Sequence, residues 1–186
     1  MIIIGIDPAK DGAAVLYEDN TVIGVWSWKF LKRKRSIYKL IYTYRENDSI
    51  FKEEEELESG GMIAHLIADS LEFAGLGSFR VGIEDAYVSK INPRAGLRVA
   101  RFGGELIGGI RATSQSNLEA VSWVTASDWR YQLLRLNPFT KREQCKIASL
   151  NLIPKLCPSI NPHLEIHGHL DHITDALGVA LWLRNK

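Results

Sequence analysis

The chain has few cysteines, no long apolar run and almost no net charge, and each shortage excludes a class of protein. Its 186 residues include two cysteines, Cys145 and Cys157, without the CxxC spacing of a zinc or redox site. No apolar run reaches the roughly 18 residues that a transmembrane helix needs. Since no secretory signal precedes the first apolar segment, we expect reduced cysteines and a cytoplasmic protein without membrane contact.

The charge is nearly balanced overall but unevenly distributed. Lys and Arg number 23 against 22 Asp and Glu, for a net charge of +1. Five acids lie in one run, and without those five negative charges the rest of the chain carries +6. These acids are Glu53, Glu54, Glu55, Glu56 and Glu58. The total therefore gives no argument for a polyanionic partner, whereas the distribution leaves room for a basic face.

The order of strand and helix patterns predicts an α/β protein with one mixed sheet. Three β-branched and aromatic segments joined by short turns predict an antiparallel meander. Apolar residues at helical spacing then alternate with two further strands, which favours five strands with helices on both faces, in a single domain over 1–186. We expect strands at 2–6, 13–17, 21–28, 81–84 and 120–125, helices at 62–73, 94–110, 127–134, 140–152 and 170–184, and a loop at 154–167.

The segment 29–61 differs from the rest of the chain. Cationic residues alternate with aromatic or aliphatic ones at 29–44, which we interpret as a β-hairpin or an ordered arm, and the acidic run then predicts a break from the core. Cationic and aromatic side chains together suit branched or single-stranded DNA, and an exposed hairpin with incidental charge is the alternative. The arm carries Lys32, Arg33, Lys34 and Arg35 with Phe30, Tyr38, Tyr42 and Tyr44 nearby.

Acidic residues lie at the ends of three predicted apolar elements. Asp7 ends the first strand, Glu84 ends the fourth, and Asp171, His172 and Asp175 lie within one turn at the start of the last helix. The first and fourth strands can end side by side in such a sheet, so these side chains can meet in one metal site. The alternative is that they are turn and helix-start residues, which local structure and the helix dipole favour without any function.

At these residues the chain resembles the RuvC family of Holliday junction resolvases, in the ribonuclease H-like superfamily. The matching segments, in the order and at the intervals of the family, are Gly5-Ile6-Asp7-Pro8, Ile83-Glu84 with an aromatic at Tyr87, and His172-Ile173-Thr174-Asp175-Ala176-Leu177. The resemblance covers most of the chain and fades across 29–61, where this chain has a longer insertion. It implies a three-layer α/β/α ribonuclease H-like fold and a place in the cytoplasm of a bacterial or phage-infected cell.

The resemblance also implies a metal site and a reaction. Four metal-binding positions fall on Asp7, Glu84, His172 and Asp175, with Asp171 as the second choice for the fourth ligand. They would hold two Mg²⁺ ions about 3.5–4 Å apart, with Mn²⁺ as a substitute, for phosphodiester hydrolysis. The implied activity is structure-selective cleavage of four-way DNA junctions by a homodimer, because symmetric incision needs two sites related by a two-fold axis.

Further residues are candidates for DNA contacts. Tyr87 matches an aromatic residue that stacks on an exposed base in the family. Arg94, Arg98 and Arg101 recur at helical spacing and would follow phosphates. Lys141 resembles a family lysine near the active site, and Arg130 is a weaker candidate. A solvent-exposed strand end or helix face is the alternative for each of them.

Three other functions stay open at this point. A relaxed-specificity nuclease that cuts flaps or forks would share every residue named above. A non-catalytic protein that binds DNA junctions would be expected to have lost at least one acid, and none is missing. A sugar kinase or actin-like ATPase also begins with a strand and a Gly-Ile-Asp turn, but it needs a second similar domain, for which 186 residues are too few.

Overall fold

A seven-stranded mixed sheet forms the centre of the computed structural model, which describes residues 1–31, 37–47, 49–73, 77–85, 93–114, 117–137, 139–168 and 170–186. The strands are β1 (Ile2–Asp7), β2 (Gly12–Glu18), β3 (Thr21–Leu31), β4 (Ile37–Glu46), β5 (Ser49–Leu57), β6 (Phe79–Glu84) and β7 (Leu118–Val124). Their order across the sheet is β5-β4-β3-β2-β1-β6-β7. Strands β1 to β5 form an antiparallel meander, whereas β6 pairs in parallel with β1 and β7 in parallel with β6.

Helices cover both faces of the sheet. One face packs against α1 (Gly60–Phe73) and α2 (Pro93–Thr113). The other packs against α3 (Ala126–Leu134), α4 (Arg142–Leu156), α5 (Asn161–His167) and α6 (Leu170–Arg184), with a short 3₁₀ helix at Pro158–Ile160. Because side chains alternate along a strand, Ile4 of β1 lies in the first core and Ile3 in the second. The predicted three layers with a mixed sheet are therefore observed.

The predicted number of strands, five, is wrong, because the segment 29–61 extends the meander by two strands. Strand β4 pairs with β3, with Trp28 opposite Leu40, and β5 pairs with β4. The alternation at 29–31 and 37–44 is thus the period of strands with one face in the core, which Leu40 and Leu57 both reach. The expected break at the acidic run is also wrong: the run lies in β5, where Glu54 accepts hydrogen bonds from Lys39 and Lys52.

The segment 154–167 and the N-terminal cap of α3 also differ from the predictions. The segment 154–167 is mostly helical rather than a loop, since α4 continues through Pro154, and Pro158 and Pro162 lie at helix starts. Proline is tolerated there because its missing N–H would have no helical partner anyway. Thr125 rather than Ser127 caps α3, with its hydroxyl accepting from the Asp128 N–H at 3.2 Å.

The cysteines agree with the expectation from the sequence. Cys145 lies on α4 and Cys157 follows that helix, and both thiols are free. None of the helices that the structure describes combines the length and the hydropathy of a membrane span.

A buried hydrogen-bonded network attaches α5 to β3 and β4. Thr43 Oγ1 lies 2.7 Å from both His163 Nδ1 and His167 Nε2, and Ser27 Oγ lies 2.8 Å from His167 Nδ1. All four side chains are buried. With both imidazoles neutral, Ser27 donates to His167, His167 donates to Thr43, and Thr43 donates to His163, which satisfies every one of these contacts. Burial, together with the charge of Arg45, lowers the pKa of His163 to about 4.

Acid should therefore destabilise the fold through His163. The unfolded chain takes up a proton below pH 6.5 and the folded chain only near pH 4, so stability is lost as the pH falls from 6.5 to 4, by up to about 3 kcal/mol. Urea unfolding at pH 7, 5.5 and 4.5 measures this loss. His163→Gln should show a shallower fall over that interval, whereas His65→Gln, at an exposed position, should keep the wild-type profile. Parallel profiles for wild type and His163→Gln would contradict the prediction.

Candidate active site

The carboxyl ends of β1 and β6 place two acids at the same edge of the sheet. The strands pair in parallel with Ile6 opposite Ile83, and Asp7 and Glu84 follow one residue further on each strand. The first turns of α6 pack against this edge, where His172 Nδ1 lies 2.7 Å from Asp7 Oδ2. Asp175, one turn further along α6, is close enough for its charge to act on both Glu84 and Asp7. The structure thus brings the four predicted ligand residues together.

Gly5 allows α6 to lie so close to β1. A Cβ atom at Gly5 would overlap the carbonyl oxygen of Ala176 and would lie 2.8 Å from the amide nitrogen of Ala180. Only a residue without a side chain permits this approach of backbone to backbone. The absence of a side chain at Gly5 therefore lets the start of α6 reach Asp7.

Helix α3 provides hydrogen-bond donors to two of the acids. Trp129 Nε1 donates to Glu84 Oε2 at 2.9 Å, and Arg130 Nη2 donates to Asp175 Oδ2 at 2.7 Å. Trp129 is fully buried, and the Arg130 guanidinium lies 4.8 Å from the centroid of its ring. Both residues orient the carboxylates, and Arg130 offsets part of their charge.

The acids form a cluster with an excess of negative charge. Burial, followed by the charges of Asp7 and Asp175, raises the pKa of Glu84 to about 8. Burial and the charge of Asp7 raise the pKa of Asp175 to about 6, although Arg130 acts against this shift. Oδ1 of Asp175 is buried without a hydrogen bond of normal geometry. A buried carboxylate oxygen of this kind is well suited to a bound cation, which would also relieve the repulsion between the acids.

His172 and Asp171 face different partners. Burial lowers the pKa of His172, but the hydrogen bond and charge of Asp7, with the charges of Asp171 and Asp175, outweigh it and raise the pKa. Asp171 accepts instead from Lys146 Nζ of α4 at 2.5 Å. Burial acts to raise the pKa of Asp171, and the contact with Lys146 lowers it overall. Of the two candidates for the fourth ligand, His172 is therefore the one in direct contact with Asp7.

The donor set fits a divalent metal by its chemistry, although the side chains are not arranged around one. Three carboxylates and an imidazole suit Mg²⁺ or Mn²⁺. Asp175 Oδ1 has no hydrogen bond of normal geometry, although the Ser149 hydroxyl is near enough to lower the pKa of Asp175. Yet within the described segments no three His, Cys, Asp or Glu side chains form a group that could hold a metal ion. One oxygen of Glu84 and one of Asp175 are already occupied, by Trp129 and Arg130, and both oxygens of Asp7 are occupied, by His172 and the Ala9 N–H. A metal can bind His172 Nδ1 only if the hydrogen bond between that atom and Asp7 opens.

The comparison with known proteins finds similarity in structure but not in sequence. A scan of protein-family models and a search of curated protein sequences give no match. Thermus thermophilus RuvC is similar in structure, with a TM-score of 0.49 and 14% sequence identity, over 98% of this chain and 92% of that chain. T. thermophilus RuvC in complex with Holliday junction substrate gives a TM-score of 0.44 and 14% identity over the same shares.

RuvC is thus a structural neighbour of this chain. It is also the family that the sequence motifs resemble. At 14% identity the likeness concerns the fold alone.

The predicted DNA-contacting residues are only partly described. Arg94, Arg98 and Arg101 are exposed on α2, and Lys141 is exposed at the start of α4. Their roles stay predictions. Outside the described residues lie Tyr87, Lys32, Arg33, Lys34 and Arg35.

Sequence reasoning missed two residues of the site and gave too little weight to a third. Trp129 has the sequence signature of a core residue, and Lys146 is one of several cations on α4. Arg130 was only a minor candidate because nothing local links it to the acids. Their roles depend on how α3 and α4 pack against the edge of the sheet, which no local pattern indicates.

Proposed function

We propose that the chain is a metal-dependent endonuclease that cuts branched DNA, with four-way junctions as its main substrate. The proposal depends chiefly on the meeting of Asp7, Glu84, His172 and Asp175 at the carboxyl edge of β1 and β6. Carboxylates gathered in this way, where burial and then mutual repulsion raise the pKa of Glu84 and Asp175, suit two-metal hydrolysis of a phosphodiester. The sequence motifs add the substrate class, since they resemble those of Holliday junction resolvases.

The fold and assembly are part of the same proposal. An antiparallel meander followed by two parallel strands beyond β1 is the arrangement that the resemblance implies for a ribonuclease H-like domain. We infer that the chain forms one such domain and acts as a homodimer, because two symmetric cuts in a junction need two sites.

The chain's own residues would hold and orient the reacting groups. When bound, two Mg²⁺ ions supply an activated water and charge stabilisation at the leaving 3′-oxygen. Asp7, Glu84, His172 and Asp175 would hold them. The Trp129 N–H fixes the orientation of Glu84, and Arg130 keeps Asp175 in position. Arg130 and Lys146 also place positive charge beside the acids, where the phosphate must approach.

Synthetic DNA substrates test this function directly. A four-way junction should be cut at two symmetric positions in Mg²⁺, and Mn²⁺ should support cleavage at least as well because it accepts nitrogen ligands more readily. Linear duplex of the same sequence should stay intact, and so should the junction in EDTA. Denaturing gels of end-labelled strands give the rates and the cut positions.

Two other outcomes would replace the proposal. Equal cleavage of junctions, flaps and forks would assign a relaxed-specificity nuclease of the same fold. Binding of junctions without cleavage in either metal would assign a non-catalytic junction-binding protein. That second candidate is favoured by one observation, the occupation of an oxygen of each acid by a protein partner.

A further inference from the structure

A groove of about 580 Å³ lies beside the candidate active site. Its walls come from the turn after β1, the extended ends of β3 and β4, and the first half of α2. Pro8, which follows Asp7 directly, is part of the lining, so the groove begins next to the acidic cluster. Its volume is within the range of about 300–1,000 Å³ that is typical of ligand sites.

Three aromatic rings form one side of this groove. Phe30 and Tyr38 are opposite each other on β3 and β4, with ring centroids 5.3 Å apart in an edge-to-face contact. Tyr38 also stacks on Phe102 of α2, with centroids 5.4 Å apart. Phe30 and Tyr38 are only partly buried, so each exposes part of its ring to the groove. The added strand β4 therefore contributes Tyr38 to an aromatic surface whose other rings come from the end of β3 and from α2.

Cations surround these rings. Lys10 Nζ lies 3.9 Å from the centroid of Phe30, and Arg98 and Arg101 line the groove from α2. Two acids are nearby, and both are engaged by the protein. Glu105 pairs with Arg101 at 3.0 Å, and Asp11 accepts from the Phe30 N–H at 2.9 Å. Three cations against two carboxylates leave a net charge of +1 beside the rings, which attracts a phosphate backbone.

We propose that this groove binds an unpaired DNA strand next to the cleavage site. Bases would stack on Phe30 and Tyr38, while Lys10, Arg98 and Arg101 would contact the phosphates. Exposed rings between cations suit unpaired bases, because every base has a face for stacking, whereas the bases of a duplex are already stacked. The inference rests on the proposed function for its substrate, but it concerns binding rather than the chemistry of cleavage.

Binding of a short oligothymidylate without divalent metal tests the aromatic part of the proposal. Phe30→Leu combined with Tyr38→Leu keeps apolar volume and removes both rings, and the loss of two base stacks should weaken binding about 30-fold or more. Tyr44→Leu is the matched control, since Tyr44 lies on β4 and stacks outside the groove on Phe51. Fluorescence anisotropy should show the control within about twofold of wild type. Equal losses in both variants, or no loss in the double variant, would overturn the proposal.

A charge substitution tests the phosphate contacts. Arg98→Gln should reduce the slope of log affinity against log salt by about 0.7, the value for one phosphate contact with a single strand. Arg111→Gln, in the last turn of the same helix, should leave the slope unchanged. An unchanged slope for Arg98→Gln would remove α2 from the binding surface.

Photo-cross-linking tests the location in the unmodified protein. An oligonucleotide with 5-iododeoxyuridine should form adducts with Phe30 or Tyr38, located by mass spectrometry of the peptides. Adducts confined to other regions would overturn the proposal. A duplex that binds as tightly as the oligothymidylate, and that loses as much affinity in the double variant, would also overturn it. Since these measurements need no cleavage, a protein that binds the single strand through the groove but cuts no DNA would refute the proposed function and leave this inference standing.

Discussion

Asp7→Asn is expected to lower cleavage of a four-way junction by about two orders of magnitude or more, while the junction is still bound. The carboxylate of Asp7 contacts His172, and its charge acts on both Glu84 and Asp175, so an amide there removes the central charge of the cluster. Binding should persist because phosphate contacts come mainly from basic residues. Gel-shift and cleavage assays on the same junction measure both effects. Cleavage above about a tenth of the wild-type rate would exclude Asp7 from the mechanism.

The same assay separates the two candidates for the fourth ligand. His172→Ala should lose most activity, whereas Asp171→Ala should lose much less, because Asp171 is engaged by Lys146 rather than by Asp7. His172→Asp should retain activity and extend it to lower pH, since an imidazole binds metal only when neutral and the pKa of His172 is raised. The opposite order of the two alanine variants would assign the ligand role to Asp171.

Gly5→Ala is expected to destabilise the protein by about 3 kcal/mol or more, a large share of the roughly 5–15 kcal/mol by which a typical domain is stable. The added methyl group would overlap the backbone of α6 at Ala176 and Ala180, and backbone cannot swing aside as the end of a side chain can. The overlap can be relieved only if α6 moves away from β1, which disrupts the buried packing of both elements. Urea or thermal unfolding, followed by far-UV circular dichroism, gives the loss.

Gly104→Ala is the matched control for that substitution. Among the described residues, no atom outside the backbone of α2 lies within 4 Å of a Cβ at Gly104, which is on the exposed face of that helix. The change should therefore stabilise the protein by up to about 1 kcal/mol, the difference in helix propensity between the two residues. If Gly5→Ala and Gly104→Ala had the same unfolding midpoint, α6 could not lie as close to β1 as the structure places it.

The positions of the acids could be predicted because each lies at the end of an apolar element. Parallel neighbours end at the same edge of a sheet, so Asp7 and Glu84 had to be close once β1 and β6 were recognised. Their hydrogen-bond partners were not predictable in the same way. Trp129 reaches Glu84 only because α3 packs under that edge, and the indole N–H is a small polar part of a side chain that sequence analysis counts as core.

The sequence pattern mispredicts the two outer strands, β4 and β5, for a different reason. Glutamate has a low preference for strands, so the run in β5 suggested a break in the structure. Cross-strand pairing overrides that preference: Lys39 contacts Glu54 at 2.7 Å, and Leu57 reaches the core at the end of the strand. The error at 154–167 has the same origin, because prolines at helix starts resemble prolines in loops until the helices are seen packed.

The glutamates of β5 also make the distribution of surface charge uneven. This strand is the outermost in the sheet, four strand spacings or roughly 19 Å from β1, and its acids are exposed. The cations of the groove lie on the side nearer to Asp7. A polyanion that diffuses toward the protein is repelled from the β5 edge and attracted to the side with Asp7. Collisions that present the acidic cluster to the phosphates are therefore favoured before any specific contact forms. The same repulsion prevents two copies from pairing through their free β5 edges, which keeps an exposed strand from starting aggregation.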